Sequence, residues 1–162
     1  LDVDKFLQIN TNFGHAGGDQ VLKSVSAILI ERAGKDATVA RYGGDEFALI
    51  FANTEREQAF LTMERIRSEV EARESFGDVG TKITITGGIA AYPIDGNSGG
   101  EILRKADQAL YRAKKTGRNN IRLAYEEKMA PKTSHFTLTQ LERLSYLSKD
   151  EGVGEEIGRA HV

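Results

Sequence analysis

Asp2 and Asp4 stand where a short apolar strand, LDVDKF, is ending, and Asp45 and Glu46 follow Gly43-Gly44 in RYGGDEFALIF. Carboxylates are hard oxygen donors, and Mg²⁺ takes one or two of them and completes its shell with substrate phosphates and water. Asp2, Asp45 and Glu46, brought together from neighbouring strands, would supply such a site. Between Arg104 and Arg122 lie seven basic residues and one acid. Lys114 and Arg118 are spaced i, i+4 there, as for one helix face, and would neutralise phosphate oxygens beyond the metal. The segment INTNFGHAGGD gathers Asn10, His15 and Asp19 in a glycine-punctuated loop opening a helix. An amide together with a carboxylate matches the donors and acceptor of a guanine edge.

Each feature also has a plainer reading. Gly43-Gly44-Asp45-Glu46 fits a polar hairpin turn in which glycine supplies positive φ. Asp19 fits a helix cap, His15 a structural loop histidine, and the basic stretch a solvated helix face. Asp2-x-Asp4 echoes a calcium loop, but Leu7 stands where that loop needs glycine, which excludes an EF-hand.

The elements that would position these residues follow from periodicity. TVARY and FALIF flank the glycine turn as a β-hairpin. GGDQVLKSVSAILIERAG reads as a helix with Leu22, Val25, Ile28 and Leu29 inward, closed by Gly34. Thr54 caps the next helix, with Glu57 at capping-box spacing and Phe60, Met63, Ile66, Arg67 and Val70 along its packing stripe. TKITITGGIAAY alternates as a half-buried strand through Ile83 and Ile85. GEILRKADQALYRAKKTG is a helix with Ile102, Leu103, Ala106, Leu110 and Ala113 inward, ending at Gly117, and NIRLAY is a last short strand. The order β-α-β-β-α-β-α-β predicts an α/β sandwich, a sheet with helices on it.

At 162 residues the chain holds one ordinary domain and an appendage. A net charge of −2 gives no global attraction to nucleic acid or membranes, so any anion site is local. The absence of cysteine excludes disulfides and thiolate chemistry and suits a cytoplasmic setting. No apolar run is long enough to cross a bilayer, although tethering through an upstream region stays open. The chain starts at Leu1 in mid-strand, so the beginning of the domain is expected to be missing. After Tyr125, EEKMAPKTS reads as a linker. HFTLTQLERLSYLSKDEG offers a short strand and an amphipathic helix, weakly like the first half of a ribbon-helix-helix segment or simply a terminal helix. The final IGRAHV continues no pattern and is expected to be an artefactual replacement of the natural C-terminus.

Four motifs in this order, LDVDKF, INTNFGHAGGDQVL, ARYGGDEF and ADQALYRAKKTGRN, running along the chain to about Leu123, resemble the GGDEF-domain diguanylate cyclases of bacteria. The resemblance implies a ferredoxin-like, palm-type central sheet flanked by helices, as in nucleotide cyclases, over residues 1–125. It implies Mg²⁺-dependent condensation of two GTP into cyclic di-GMP at a homodimer interface. By position, Asp2, the Val3 carbonyl and Asp45 would bind two Mg²⁺ (or Mn²⁺), with Glu46 assisting and Asp45 also acting as base. Gly43 and Gly44 would admit the nucleotide, Asn10 and Asp19 would read guanine, His15 would line the sugar, and Lys114 and Arg118 would hold phosphates. The resemblance also implies a sensor domain upstream.

Three departures stand out. Leu7 replaces the family's usual lysine, and Thr11 a common aspartate. The family's product-inhibition motif, Arg-x-x-Asp, is not met, because Gly34 and Ala37 occupy its places. These departures keep open a degenerate domain that binds GTP as a regulatory module without turnover. The tail keeps open a DNA-binding or dimerising protein in which this domain is scaffold.

Overall fold

The computed structural model describes residues 1–124, so the linker, the ribbon-helix-helix-like segment and the final residues lie outside the described residues. Eight elements follow one another: β1 (Asp2–Val3), α1 (Phe6–Ala33), β2 (Ala37–Arg41), β3 (Phe47–Phe51), α2 (Arg56–Ala72), β4 (Ile85–Ile89), α3 (Gly99–Lys115) and β5 (Ile121–Leu123). Their order is the one the periodicity predicts.

β2 and β3 form an antiparallel hairpin with Arg41 opposite Phe47. β1 pairs antiparallel with β4, and β4 pairs parallel with β5. Parallel neighbours need a crossover, which α3 supplies. The hairpin joins this sheet through β1: Asp2 bridges Glu46, the Val3 N–H donates to the Asp45 carbonyl (3.1 Å), and the Phe47 N–H donates to the Leu1 carbonyl (2.9 Å). β1, only two residues long, is thus the seam between the hairpin and the rest.

Strand alternation divides the helices. Ile85 and Ile89 face a core built with Val21, Val25, Ile28 and Leu29 of α1 and Met63, Ile66 and Val70 of α2. The opposite face of β4 carries Gly88, where a Cβ would fall on the backbone of α3, on the Ala106 carbonyl and the Leu110 nitrogen. That close approach explains a correction to the predicted inward stripe. Leu103 is 41% exposed, whereas Ala109, absent from the predicted stripe, is fully buried beside Ala113. Small side chains line the contact because nothing larger fits. Gly88→Ala is expected to cost about 1–3 kcal/mol as an overpacked contact with unyielding backbone. Urea denaturation measures it, and an unchanged midpoint would mean that α3 can lift away freely.

Three further expectations are corrected. α1 begins at Phe6, ahead of the glycines, and is broken at Gly14 (φ 70°, ψ 173°). Asn10 therefore sits on a helical turn and not in a loop. Thr54 does not cap α2: the N-cap position is Glu55, without a side-chain cap bond, and the Thr54 hydroxyl donates to the Ala52 carbonyl (2.9 Å). Arg118 lies beyond α3, in a left-handed conformation (φ 62°), so it shares no helix face with Lys114. The chain turns there because Gly117 (φ 111°) follows the Thr116 cap, with the Arg118 N–H returning to the Ala113 carbonyl (3.2 Å), the bond of a Schellman ending.

Candidate active site

The seam at β1 brings together motifs far apart in sequence. Asp2 is nearly buried and receives a hydrogen bond from Lys114 Nζ at 2.8 Å. Burial pushes the Asp2 carboxyl above the usual aspartate range. The Lys114 hydrogen bond and charge pull it back, while the charges of Asp45 and Asp4 push it further up. Asp2 is therefore a carboxylate whose charged form is penalised chiefly by burial, a penalty that a bound divalent cation would relieve.

Among the described residues no three acids or histidines stand as a closed metal cage. The donors that would serve Mg²⁺ are the Asp2 carboxylate, the Asp45 carboxylate and the Val3 carbonyl, all hard oxygens. A protein supplying so few leaves the remaining positions to phosphates and water. The donor set fits that mode of binding.

Asp45 contributes through its backbone as well, since its carbonyl accepts from Val3. Glu46 folds over the turn, its Oε2 2.9 Å from where a Cβ on Gly43 would lie. At Gly44 a Cβ would meet nothing, so that backbone faces open space. The positive-φ glycines among the described residues are Gly14, Gly34, Gly77 and Gly117. The plain reading of the turn, glycine for positive φ, does not apply at Gly43 or Gly44. What these glycines provide is room, for Glu46 at one and for open access at the other.

Sequence reasoning missed Arg41. Its guanidinium donates to the Gly43 carbonyl (3.2 Å) and the Gly44 carbonyl (2.7 Å from Nη2), bracing the turn from its own strand. Its place immediately before the turn was the available signal. Asp4 is not a ligand candidate in this fold. Buried, it accepts from the Thr84 hydroxyl (2.8 Å), the Thr86 hydroxyl (2.7 Å) and the Asn119 N–H (3.1 Å).

Asn10 is half-buried, and its Oδ1 occupies the space where a side chain on Gly18 would go. The two halves of α1 thus meet beside Asp19, which is exposed, as is His15. Asn10 and the Asp19 turn are brought together; His15 has no side-chain hydrogen bond among the described residues. Lys114 is half-buried and engaged with Asp2, whereas Arg118 is exposed.

The chain matches the family described as "Diguanylate cyclase, GGDEF domain" over residues 1–120. It is 41% identical over 126 residues to diguanylate cyclase A of Treponema denticola, covering 76% of this chain and 34% of that protein. It is 38% identical over 124 residues to diguanylate cyclase DosC of Escherichia coli, covering 76% of this chain and 27% of that protein. The chain thus spans about a third or less of these relatives. Among solved structures it is similar to the GGDEF domain of DgcB from Caulobacter crescentus, solved with c-di-GMP, at TM-score 0.70 and 37% identity over 76% of this chain and 74% of that one. The active GGEEF domain of a diguanylate cyclase from Vibrio cholerae superposes with TM-score 0.73 at 32% identity, covering 78% of this chain and 80% of that one. Among the described residues no helix is long and apolar enough to cross a membrane. With a family match across nearly all of its described length and a sheet that seats the acidic strand against the Gly-Gly-Asp-Glu turn, the chain belongs to the GGDEF family of diguanylate cyclase domains.

Proposed function

We propose that this chain binds one GTP per domain and, as a homodimer facing two such half-sites, condenses two GTP into cyclic di-GMP with release of pyrophosphate. The observation that carries this reading is the seam itself: the backbone at Asp2 paired with that at Glu46, the Val3 N–H donating to the Asp45 carbonyl, and Lys114 Nζ 2.8 Å from the Asp2 carboxylate. Residues from three separate motifs converge there on one strand end. A symmetric pair is needed because each domain holds only half of the substrates.

Two Mg²⁺ (or Mn²⁺), held by Asp2, the Val3 carbonyl and Asp45 with Glu46 assisting, would supply charge stabilisation to the transferring phosphoryl group. The chain's own residues do the rest. Asp45 accepts the proton of the attacking 3′-hydroxyl. The bare backbone at Gly43 and Gly44 lets the nucleotide lie close, and Arg41 keeps that backbone from shifting. Asn10 and Asp19 pair with the guanine edge, His15 lines the sugar, and Arg118 meets phosphate oxygens. Lys114, engaged with Asp2 in this structure, is close enough to the same region to exchange a carboxylate for a phosphate. Positioning and charge complementarity of this kind account for most phosphoryl-transfer catalysis.

Purified protein incubated with GTP and Mg²⁺, with product separated by chromatography, tests the reading. Cyclic di-GMP is expected. GTP binding without product would instead favour the regulatory module, and no GTP binding would remove both.

Asp19→Ala is expected to weaken GTP about tenfold, the lower end for charge-assisted bonds at an exposed position. ATP should be unaffected, because the lost acceptor pairs with donors found only on guanine. Equal losses for both nucleotides would remove Asp19 from guanine recognition.

The raised Asp2 carboxyl carries a pH dependence of known sign. Cation binding needs the ionised form, and burial favours the protonated one. Divalent-cation affinity in the presence of GTP should therefore fall on acidification from a pH above the ordinary aspartate value near 4. Lys114→Met removes the groups that pull the Asp2 carboxyl down, so its fall should begin at still higher pH. Mn²⁺ titrations across pH measure this, and coincident profiles would show that Lys114 does not tune Asp2.

A further inference from the structure

The corner after α3 is held from an unexpected direction. Arg118 and Asn119 are consecutive non-glycine residues with positive φ (62° and 48°). Left-handed backbone costs such residues of order 1 kcal/mol each, so the corner persists only where its surroundings fix it. Asn119 is gripped at both ends. Its N–H donates to Asp4 Oδ2 (3.1 Å) and to Thr86 Oγ1 (3.0 Å). Its side-chain Oδ1 accepts from Arg67 Nη1 (2.8 Å), which comes from α2.

Arg67 is only 15% exposed. Its charge is already met by Glu64 (3.1 Å) and Glu71 (2.7 Å) on its own helix. A guanidinium needed only for α2 would stop there. Besides a bond to the Ser68 hydroxyl (3.0 Å) on α2, this one uses its fork to reach a partner on another element, as the fixed geometry of arginine permits and that of lysine does not. The chain Arg67–Asn119–Asp4 then connects α2 to both ends of the candidate site. On one side is Arg118, held next to Asn119; on the other is β1, since Asp4 follows Asp2 and Val3 directly.

We propose that Arg67 is a positioning residue for the phosphate-binding end of the site: through Asn119 it fixes the left-handed corner that presents Arg118. This rests on the reading that Arg118 meets the GTP phosphates. Arg67 itself touches no substrate.

The test compares two ligands on the full chain: a GTP analogue with an α,β-methylene bridge, which cannot be turned over, and GMP, which lacks the β- and γ-phosphates. The parent is expected to prefer the triphosphate. Arg67→Met is expected to weaken the analogue about tenfold, the scale of one charge-assisted bond, while leaving GMP within about twofold. Amide hydrogen exchange at Asn119 should accelerate in parallel. Asn119→Gly keeps the Arg67 pairs with Glu64 and Glu71 but removes the acceptor, and should reproduce the selective loss even where Arg67→Met fails to fold. The double variant should lose no more than the worse single one. Equal weakening of both ligands, additive losses, or full triphosphate preference with a protected Asn119 amide would overturn the proposal. A parent that binds the two ligands equally would instead overturn the phosphate role of Arg118, and the proposal with it.

Discussion

Asp45→Asn is expected to abolish cyclic di-GMP formation while the protein melts within a few degrees of the parent. The two outcomes separate because the residue serves structure and chemistry with different atoms. Its carbonyl accepts from Val3 and helps close the seam between the hairpin and β1, and asparagine retains that carbonyl. Its side chain makes no hydrogen bond among the described residues and is not buried. Substitutions of this kind shift stability by roughly 0.5 kcal/mol or less. On the chemical side, asparagine offers a neutral amide where a cation requires a hard anionic oxygen, and it cannot accept the 3′-hydroxyl proton. Loss of both contributions lowers turnover by orders of magnitude, since general-base catalysis alone accounts for about 10²–10⁴. Turnover comparable to the parent would take Asp45 out of both roles. A large fall in melting temperature would instead mean that the carboxylate holds the turn.

The contrast between Asp2 and Asp4 shows what the sequence makes legible. Both acids end the same apolar strand, and spacing alone treats them alike. The fold aims Asp2 at Lys114 and Asp45 and turns Asp4 towards Thr84, Thr86 and Asn119, so one is a ligand candidate and the other a structural anchor. Those partners lie some eighty or more residues away, beyond the reach of any local pattern. The core stripe of α1 was legible because Leu22, Val25, Ile28 and Leu29 follow a simple helical period. The stripe of α3 was not wholly so, because what decides it is Gly88 on another element, which favours Ala109 over Leu103. The start of α1 was misplaced for a local reason. Gly14 breaks the helix for one residue, and a reading that treats glycines as loop punctuation cannot distinguish a kink from a beginning. The turn at Gly43 and Gly44 was found by its composition, but only the backbone angles separate room for a ligand from ease of turning.

Leu7→Lys is expected to tighten GTP binding by about tenfold to a hundredfold. The family resemblance places a lysine at this position, and a charge-assisted bond to phosphate contributes roughly 1.5–3 kcal/mol. An objection is that a core leucine would make the substitution destabilising. The fold removes it: Leu7 is 80% exposed on the first turn of α1, so a lysine replaces no packing. The remaining cost is a positive charge near a helix N-terminus, about 0.3–1 kcal/mol, smaller than the expected gain. Because the position is exposed, the gain should shrink as salt is raised. Lys5 is the other candidate for the same duty. It is also exposed, but it is held in a left-handed conformation (φ 57°) at the start of α1, which constrains where its side chain can reach. GTP affinity measured for Leu7→Lys and Lys5→Ala at low and high salt separates the two. A salt-sensitive gain at position 7 with little loss at position 5 is expected. No gain at 7 combined with a clear loss at 5 would show that Lys5 already serves the phosphates and that the leucine costs the site nothing.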